Sequence, residues 1–318
     1  MTEFELIRTF FARQPVSRAD VATGIGDDAA LLRPPAGQLF AATSDLLVSG
    51  VHFLPDVEPR SLGHKALAVN LSDLAAMGAE PAWFLLNLVL PDVDVPWLER
   101  FCSGMFDLAR THNVQLVGGD TSRGPLTIGI EAQGFVPEAA ALRRSGAGIG
   151  DRIYVTGTLG DAAVALQHRL GKQRLSSDDF AAVVERLDRP TPRVREGMAL
   201  RGLAHGAIDI SDGLVADLGH ILEMSRVGAR IFLDKIPVSP VCRAHIKKSG
   251  WEAALAMGDD YELCFTVSPQ NASAVEKLPF ACGLHCIGEI ESEPGLRIVD
   301  QSGGSYRPAF TGYDHFAK

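Results

Sequence analysis

Two long segments in the first half of the chain carry apolar residues at helical spacing. Over residues 60–78 the apolar positions recur every three or four residues, and Gly78 can end a helix, so the pattern predicts a helix there. Pro96–His112 shows the same periodicity and predicts a second helix. A shorter apolar stripe predicts an amphipathic helix over residues 2–13.

Shorter apolar runs that are bounded by turn residues predict strands. In the first half of the chain these runs are residues 39–43, 83–90, 115–117 and 126–136. We expect the first strand to end at Ser44-Asp45 and the third to end at Gly118-Gly119-Asp120, because Ser, Asp and Gly favour turns.

A segment rich in alanine and glycine, Ala139–Gly150, interrupts this alternation and predicts a domain boundary. The second half predicts further elements: strands at 152–156, 207–210, 229–233 and 261–267, and helices at 161–170, 178–187, 193–204 and 214–226. Both halves alternate strands with helices. The sequence therefore predicts an α/β or α+β fold of two domains, residues 1–138 and 149–318.

Charge and composition narrow the classes of protein. The 318 residues carry a net charge of −9, which argues against binding nucleic acid or an anionic membrane through a general basic field. No apolar run approaches the roughly 20 residues of a membrane-spanning helix, and the N-terminus does not resemble a secretory signal. The five cysteines, an odd number in a long chain, favour reduced thiols and a cytoplasmic protein.

Aspartates recur where apolar segments meet loops, often beside a hydroxyl residue. The motifs are Gly26-Asp27-Asp28, Thr43-Ser44-Asp45, Ser72-Asp73, Gly119-Asp120-Thr121, Asp209-Ile-Ser211-Asp212 and Gly258-Asp259-Asp260. Any one of them can be turn or N-cap chemistry. Asp73 and Asp209, however, lie inside apolar segments, where a carboxylate is costly unless it is paired or bound to metal. We expect several of these side chains to hold Mg²⁺ ions jointly.

The motifs of other nucleotide-binding proteins are absent or out of context. Gly24-Ile-Gly26-Asp-Asp-Ala29 fits G-x-G-x-x-A, but its two adjacent carboxylates would repel a dinucleotide pyrophosphate unless a metal ion lay between them. The chain has no P-loop motif and no protein-kinase catalytic loop. Cys282 and Cys286 have the spacing of half a metal site, but an ordinary strand edge is the preferred interpretation.

Several other side chains are candidate contacts, each with a structural alternative. Arg144, beside Arg143, is either an anion contact in the boundary segment or part of a solvated charge pair. His52 is either structural or a hydrogen-bond donor to a phosphate, and Lys65 is either an ordinary exposed lysine or part of the site. Tyr313 belongs either to the core or to a surface that stacks on a flat ligand.

Taken in order, these motifs resemble those of the thiamine-monophosphate kinase family, within the aminoimidazole ribonucleotide synthetase-like superfamily. The resemblance spans almost the whole chain and includes Asn70-Leu-Ser-Asp-Leu-Ala-Ala-Met-Gly-Ala79, Gly118-Gly-Asp-Thr121, Asp209-Ile-Ser-Asp-Gly-Leu214 and Asp260-Tyr-Glu-Leu-Cys-Phe265. His52-Phe-Leu-Pro55 and Gly312-Tyr-Asp-His-Phe316 are the segments most similar to this family rather than to its relatives.

The resemblance implies transfer of the γ-phosphoryl group of ATP to thiamine monophosphate, the last step in making thiamine diphosphate. It implies a two-domain fold in which the N-terminal domain binds metal and ATP and pairs with a second copy to form a β-barrel at a homodimer interface. ATP is expected near the cleft between the domains, with several Mg²⁺ ions between carboxylates and phosphates. The alternatives are another ATP-using enzyme of the superfamily and a non-catalytic sensor of Mg²⁺-nucleotide.

The resemblance also implies roles for single residues. The positions that match metal ligands are Asp28, Thr43, Ser44, Asp45, Asp73, Asp120, Asp209 and Asp212, the hydroxyl residues through side chain or backbone oxygen. Those that match nucleotide contacts are Gly119, Asp120, Arg144 and Ser211, and those that match substrate contacts are His52, Asp259 and Tyr313. The resemblance makes Asp45, Asp120, Asp212 and Arg144 the expected catalytic residues.

Overall fold

The structure, a computed structural model, describes residues 2–313. Of the sequence motif Gly312–Phe316, only the first two residues lie within this range, and the others are outside the described residues. The described residues form two compact units: unit 1 comprises residues 2–74, 79–138 and 188–190, and unit 2 comprises residues 75–78, 139–187 and 191–313. None of the described helices combines the length and hydropathy needed to cross a lipid bilayer.

Unit 1 is built on a four-stranded sheet. Its elements are α1 (Glu3–Leu6), a π-helical segment (Ile7–Phe11), β1 (Val21–Thr23), β2 (Leu31–Leu32), β3 (Gln38–Val48), α2 (Pro59–Ala76), β4 (Glu80–Leu90), α3 (Val95–His112), β5 (Gln115–Arg123) and β6 (Thr127–Pro137). The sheet order is β3-β6-β4-β5, in which β4 and β5 are parallel and the other pairs antiparallel. β1 and β2 form a separate pair.

Two strands of this sheet are longer than the sequence pattern predicts. β3 pairs with β6 without interruption from Gln38 to Val48, so Ser44 and Asp45 lie inside a strand and not at its end. β5 likewise continues beside β4 through Gly119 and Asp120. The predicted ends are wrong because pairing with a distant strand supplies the backbone hydrogen bonds that a turn would otherwise provide.

The long helices follow from local signals. In α3 the side chain of Asp94 accepts a hydrogen bond from the Trp97 N–H at 3.1 Å, Pro96 stands in the first turn, and Asn113 ends the helix at φ 52°. The predicted helix over 2–13 is shorter and less regular than expected, since α1 passes into the π-helical segment and ends at Phe11.

α2 and α3 approach so closely that neither can carry a side chain at the crossing. A Cβ added to Gly63 would lie 1.9 Å from the Phe101 carbonyl oxygen, and one added to Gly104 would lie 1.8 Å from that of Arg60. The two glycines therefore let the helix backbones touch, which fixes the position of α2 and of the side chains it carries.

Unit 2 is built on a mixed seven-stranded sheet. Its elements are β7 (Arg152–Thr156), α4 (Asp161–Arg169), α5 (Ser177–Asp188), α6 (Val194–Ala199), β8 (Ala204–Asp209), α7 (Leu214–Ser225), β9 (Gly228–Phe232), α8 (Pro240–Ser249), α9 (Glu252–Leu255), β10 (Leu263–Val267), α10 (Pro269–Val275), β11 (Leu284–Glu291), β12 (Gly295–Val299) and β13 (Ser305–Tyr306), with short 3-10 helices at Glu138–Ala140 and Leu233–Lys235. The order is β13-β12-β9-β11-β7-β10-β8.

The core of unit 2 is a single cluster of aliphatic side chains from these strands and from α4, α7 and α9. The predicted helix over 193–204 is wrong in its second half. α6 ends at Ala199, and the chain turns through Gly202, at φ 72°, into β8. The turn is possible because glycine adopts positive φ at little cost.

Each unit includes a short segment that lies, in sequence, within the part of the chain that forms the other unit. Residues 75–78, at the end of α2, belong to unit 2, where the Leu142 N–H donates to the Met77 carbonyl at 3.1 Å and Arg201 Nε donates to the Gly78 carbonyl at 2.6 Å. Residues 188–190 belong to unit 1. Neither unit is therefore one continuous stretch of chain.

The crossing of α2 and α3 gives a test of the fold. We expect Gly104→Ala to lower the free energy of unfolding by about 2 kcal/mol or more, because the added methyl group overlaps a carbonyl oxygen. Urea unfolding measures the change. The control is Gly219→Ala in α7, where an added Cβ meets nothing within 4 Å. It should leave stability unchanged or raise it by up to about 1 kcal/mol. A Gly104→Ala protein as stable as the original would contradict the close approach.

Candidate active site

Two carboxylates come together where β3 meets α2. Thr43 Oγ1 donates a hydrogen bond to Asp73 Oδ2, and the Asp45 N–H donates to Asn70 Oδ1 at 3.2 Å. Burial, and after it the negative charge of Asp73, raise the pKa of Asp45 to about 7. The structure thus brings Thr43, Asp45 and Asp73 into one cluster, as the sequence analysis expected of metal ligands.

The donor atoms of this cluster suit one kind of cation. They are carboxylate and hydroxyl oxygens, which Mg²⁺ prefers, and Mg²⁺ is usually held by one or two carboxylates together with substrate phosphates. Among residues 2–313, no group of three or more His, Cys, Asp or Glu side chains is placed to hold a metal ion. The residues therefore fit a cation that takes its other ligands from a phosphate or from water.

Ser44 does not contribute its side chain to this cluster. It lies between Thr43 and Asp45 on β3, and successive side chains of a strand point to opposite faces. Its hydroxyl is exposed on the other face of the sheet, which leaves its backbone oxygen as the candidate ligand.

His52 lies just after β3 and is oriented by that strand. The Val48 N–H donates to His52 Nδ1 at 3.0 Å, so the proton of a neutral imidazole stands on Nε2. A proton held there can be donated to an anionic oxygen.

Asp28, Gly119 and Asp120 line a cavity of about 870 Å³ in unit 1. The glycine loop at Gly26 and the GGD segment of β5 form its polar part. The remaining wall is largely apolar and includes Phe4, Ile7, Phe11, Leu32, Phe40, Leu85 and Leu86. This combination of an apolar wall with carboxylates and exposed backbone suits a ligand that has a flat apolar part and an anionic part whose charge a cation neutralises.

Gly119 is required at its position in β5. Its φ is 141°, and a Cβ there would lie 1.8 Å from the Leu86 carbonyl oxygen of β4. Only glycine lets the two strands approach while Asp120 stays exposed at the cavity.

The loop between β8 and α7 carries the second set of predicted residues, Asp209, Ser211 and Asp212. Asp209 is buried at the end of β8. The loop is shaped by Asp217, whose Oδ2 accepts hydrogen bonds from the N–H groups of Ser211, Asp212 and Gly213 at 3.1, 3.1 and 3.0 Å. Burial, and then repulsion from Asp212, raise the pKa of Asp217 to about 7.

The predicted substrate contacts Asp259 and Tyr313 lie against this loop. The Asp259 N–H donates to the Ser211 carbonyl at 2.8 Å, and the Tyr313 N–H donates to the Asp212 carbonyl at 3.1 Å. The Tyr313 side chain is half exposed. Residues that are far apart in sequence thus form one cluster in unit 2.

Arg144 is exposed, on a loop that is held through its backbone. Ser225 Oγ donates to the Arg144 carbonyl at 3.3 Å and accepts from the N–H groups of Gly146 and Ala147, both at 3.1 Å. The backbone is therefore fixed while the guanidinium extends into solvent, as an anion contact requires.

The sequence analysis did not predict the burial of three polar residues. Asn70 is fully buried in α2 and supports the backbone of Asp45. Asp217 is buried in α7 and shapes the Ser211 loop. Lys65 is buried with 5% exposure, so its interpretation as an ordinary exposed lysine is wrong. The available signal was a polar residue at an apolar position of a helical stripe.

The chain matches two family models that together span most of its length. Residues 26–136 match the AIR synthase related protein, N-terminal domain, and residues 148–301 match the AIR synthase related protein, C-terminal domain. The described residues accordingly have the two-domain α/β fold of that superfamily.

Relatives that match over nearly the whole chain identify the family within this superfamily. A thiamine-monophosphate kinase of Escherichia coli (strain K12) is 49% identical over 99% of this chain and 98% of that protein. The crystal structure of a thiamine-monophosphate kinase from Stenotrophomonas maltophilia K279a has a TM-score of 0.85 at 45% identity, covering 91% of this chain and 93% of that one. AaThiL complexed with AMPPCP and TMP has a TM-score of 0.79 at 33% identity, covering 93% of each chain. This chain belongs to the thiamine-monophosphate kinase family.

Proposed function

We propose that this protein transfers the γ-phosphoryl group of ATP to thiamine monophosphate and forms thiamine diphosphate and ADP. The observation in the structure that carries the proposal is the Asp45–Asp73 cluster, which suits a cation shared with a phosphate. The choice of substrate is supported by the relatives' names and by the related AaThiL structure that holds AMPPCP and TMP.

We assign Mg²⁺ to three groups of oxygen ligands. Thr43, Asp45 and Asp73 form the first, with the backbone of Ser44. Asp28 and Asp120 at the cavity form the second, and Asp209 and Asp212 at the β8–α7 loop form the third. When bound, Mg²⁺ neutralises phosphate charge and so reduces the repulsion between the two anionic substrates.

The protein's own residues have to position the substrates and supply charge. The acceptor is a phosphate oxygen that is already ionised, so the reaction needs no strong general base, and we assign direct in-line transfer with no covalent enzyme intermediate. Arg144 supplies positive charge to the nucleotide phosphates, and Gly119 and Ser211 offer close backbone approach. His52 Nε2, Asp259 and Tyr313 contact thiamine monophosphate. Good alignment of two reactants can lower a barrier by roughly 7–11 kcal/mol.

We assign dimerisation and the first two metal groups to residues 1–138, the N-terminal metal- and ATP-binding domain. Residues 149–318 are the C-terminal α/β domain, which adds Asp209, Ser211 and Asp212. β3 supports the homodimer, because it is an eleven-residue edge strand of a four-stranded sheet. Leu39, Phe40 and Leu46 on it are 37%, 53% and 58% exposed. Such an edge can pair with a second copy and close a β-barrel. The five free cysteines support a cytoplasmic setting.

The proposed reaction is tested by incubating the protein with ATP, Mg²⁺ and thiamine monophosphate and separating the products by chromatography. We expect equal amounts of thiamine diphosphate and ADP. ADP formed only with another acceptor would indicate a different enzyme of the superfamily. Binding of ATP without ADP formation under any condition would indicate a sensor.

Substitution of Asp45 tests the metal cluster. We expect Asp45→Asn to abolish turnover and leave the fold intact, because it removes a ligand and one of two neighbouring negative charges. Burial raises the pKa of Asp45 to about 7 in the folded protein against 3.8 for a free aspartate, so ionisation destabilises the folded state as the pH rises through this range. Without Mg²⁺, Asp45→Asn should therefore melt at a higher temperature, relative to wild type, at pH 8 than at pH 5.

The matched control for this experiment is Asp92→Asn, since the Asp92 side chain is 87% exposed on a surface loop. It should change neither turnover nor the pH dependence of melting. An active Asp45→Asn protein would show that the cluster does not serve the reaction.

Tyr313 offers a test of the substrate contact. We expect Tyr313→Ala to raise the KM for thiamine monophosphate more than the KM for ATP, because the half-exposed ring is placed to stack on the flat substrate. Steady-state kinetics with each substrate varied in turn measures both constants. Tyr313→Phe keeps the ring and should behave like wild type, whereas equal changes in both constants for Tyr313→Ala would exclude stacking.

A further inference from the structure

The turn that carries Asp259 has an unusual backbone. Asp259 and Tyr261 have φ values of 65° and 50°, a left-handed conformation that non-glycine residues rarely adopt. Gly258 precedes them at φ 67°. Such conformations persist only where the surrounding structure imposes them, and they concentrate at functional sites.

Asp260 and Glu262, which alternate with Asp259 and Tyr261 along the chain, are buried in the interior. Asp260 is 1% exposed, and its Oδ1 accepts a hydrogen bond from the Gly160 N–H at 2.8 Å. Glu262 is fully buried, at the start of the strand that follows the turn. Both carboxylates are therefore buried, whereas Asp259 is partly exposed.

Glu262 is held by three side chains. Thr156 Oγ1 donates to Oε2 at 2.6 Å, Arg186 Nη2 donates to Oε1 at 2.6 Å, and Arg193 Nε donates to Oε2 at 2.6 Å. Arg186 also donates to the Asp260 carbonyl at 3.1 Å, so the same guanidinium holds both the Glu262 carboxylate and the backbone of the turn. The carboxylate also packs against Gly157, where an added Cβ would lie 2.1 Å from Glu262 Oε1.

The turn is also tied to the neighbouring loop through its backbone. The Asp259 N–H donates to the Ser211 carbonyl, the Tyr261 N–H donates to the Ile210 carbonyl, and the Ile210 N–H donates to the Glu262 carbonyl, each at 2.8 Å. Asp217 holds the Ser211 loop through three hydrogen bonds of its own, so this loop anchors the turn on one side and Glu262 anchors it on the other.

Buried ion pairs contribute little to stability compared with apolar packing, but they fix geometry because each partner is costly to leave alone. We infer that Glu262, clamped by Arg186 and Arg193, is a positioning residue that sets the strained turn so that Asp259 meets the substrate. This inference rests on the proposed function, in which Asp259 contacts thiamine monophosphate.

The test compares two glutamates that are each held by two arginines. Glu262→Gln removes the charge at the turn. Its control, Glu291→Gln, removes a charge paired with Arg230 and Arg297, each at 2.7 Å, on β11. We expect Glu262→Gln to raise the KM for thiamine monophosphate about tenfold, with the KM for ATP changed less than about twofold, since small misplacements of contact groups have effects of this size. Glu291→Gln should change neither constant.

A double-mutant cycle separates positioning from general damage. If Glu262 acts through Asp259, then adding Glu262→Gln to Asp259→Asn should cause little further loss. Additive losses, or equal increases in both KM values, would overturn the inference. Should Glu262→Gln fail to fold, Arg193→Lys keeps the charge but loses the planar fork, and should show the same selective change in KM.

Hydrogen exchange gives a readout that is independent of turnover. In Glu262→Gln we expect faster exchange confined to the amides of 258–263 and of Gly160, whereas faster exchange throughout unit 2 would indicate a merely structural role and overturn the inference. Wild-type protein that forms no thiamine diphosphate would overturn the proposed function, and the inference with it. Active wild type with an unchanged KM in Glu262→Gln would overturn the inference alone.

Discussion

Repulsion between like charges is the constraint on which both clusters depend. In unit 2 the charge of the buried Glu262 is compensated internally, because two guanidinium groups surround the carboxylate. In unit 1, burial and the charge of Asp73 instead leave Asp45 with a raised pKa. Glu262 therefore maintains the shape of the protein, whereas Asp45 is suited to a cation that arrives with a substrate.

In both units the functional side chains extend from backbone segments whose positions are fixed. In unit 1 the glycines at 63 and 104 press two helices together and so hold Asp73 on a fixed support. In unit 2 the Ser211 loop, held by Asp217, supports the Asp259 turn through backbone hydrogen bonds. The side chains we assign to substrates therefore extend from segments whose positions are set by interior contacts.

Much of this arrangement could be predicted from the sequence where the signal is local. Asp73 was recognisable as a carboxylate in an apolar helical stripe, and helix α3 was recognisable from its periodicity and its proline. The true lengths of β3 and β5 were not predictable, because they depend on pairing with strands elsewhere in the chain. Lys65 and Asp217 stand within apolar helical stripes, a local signal that indicates burial but does not reveal the role of the side chain.

The segments that cross between the two units have a consequence for how such a protein can evolve. Residues 75–78 begin within the end of α2 and yet belong to unit 2. Residues 188–190 lie between segments of unit 2 and yet belong to unit 1. A gene fragment ending in the boundary segment would encode neither unit in full. Exchanging either unit whole with another gene would therefore have to include a short segment from the other half of the sequence.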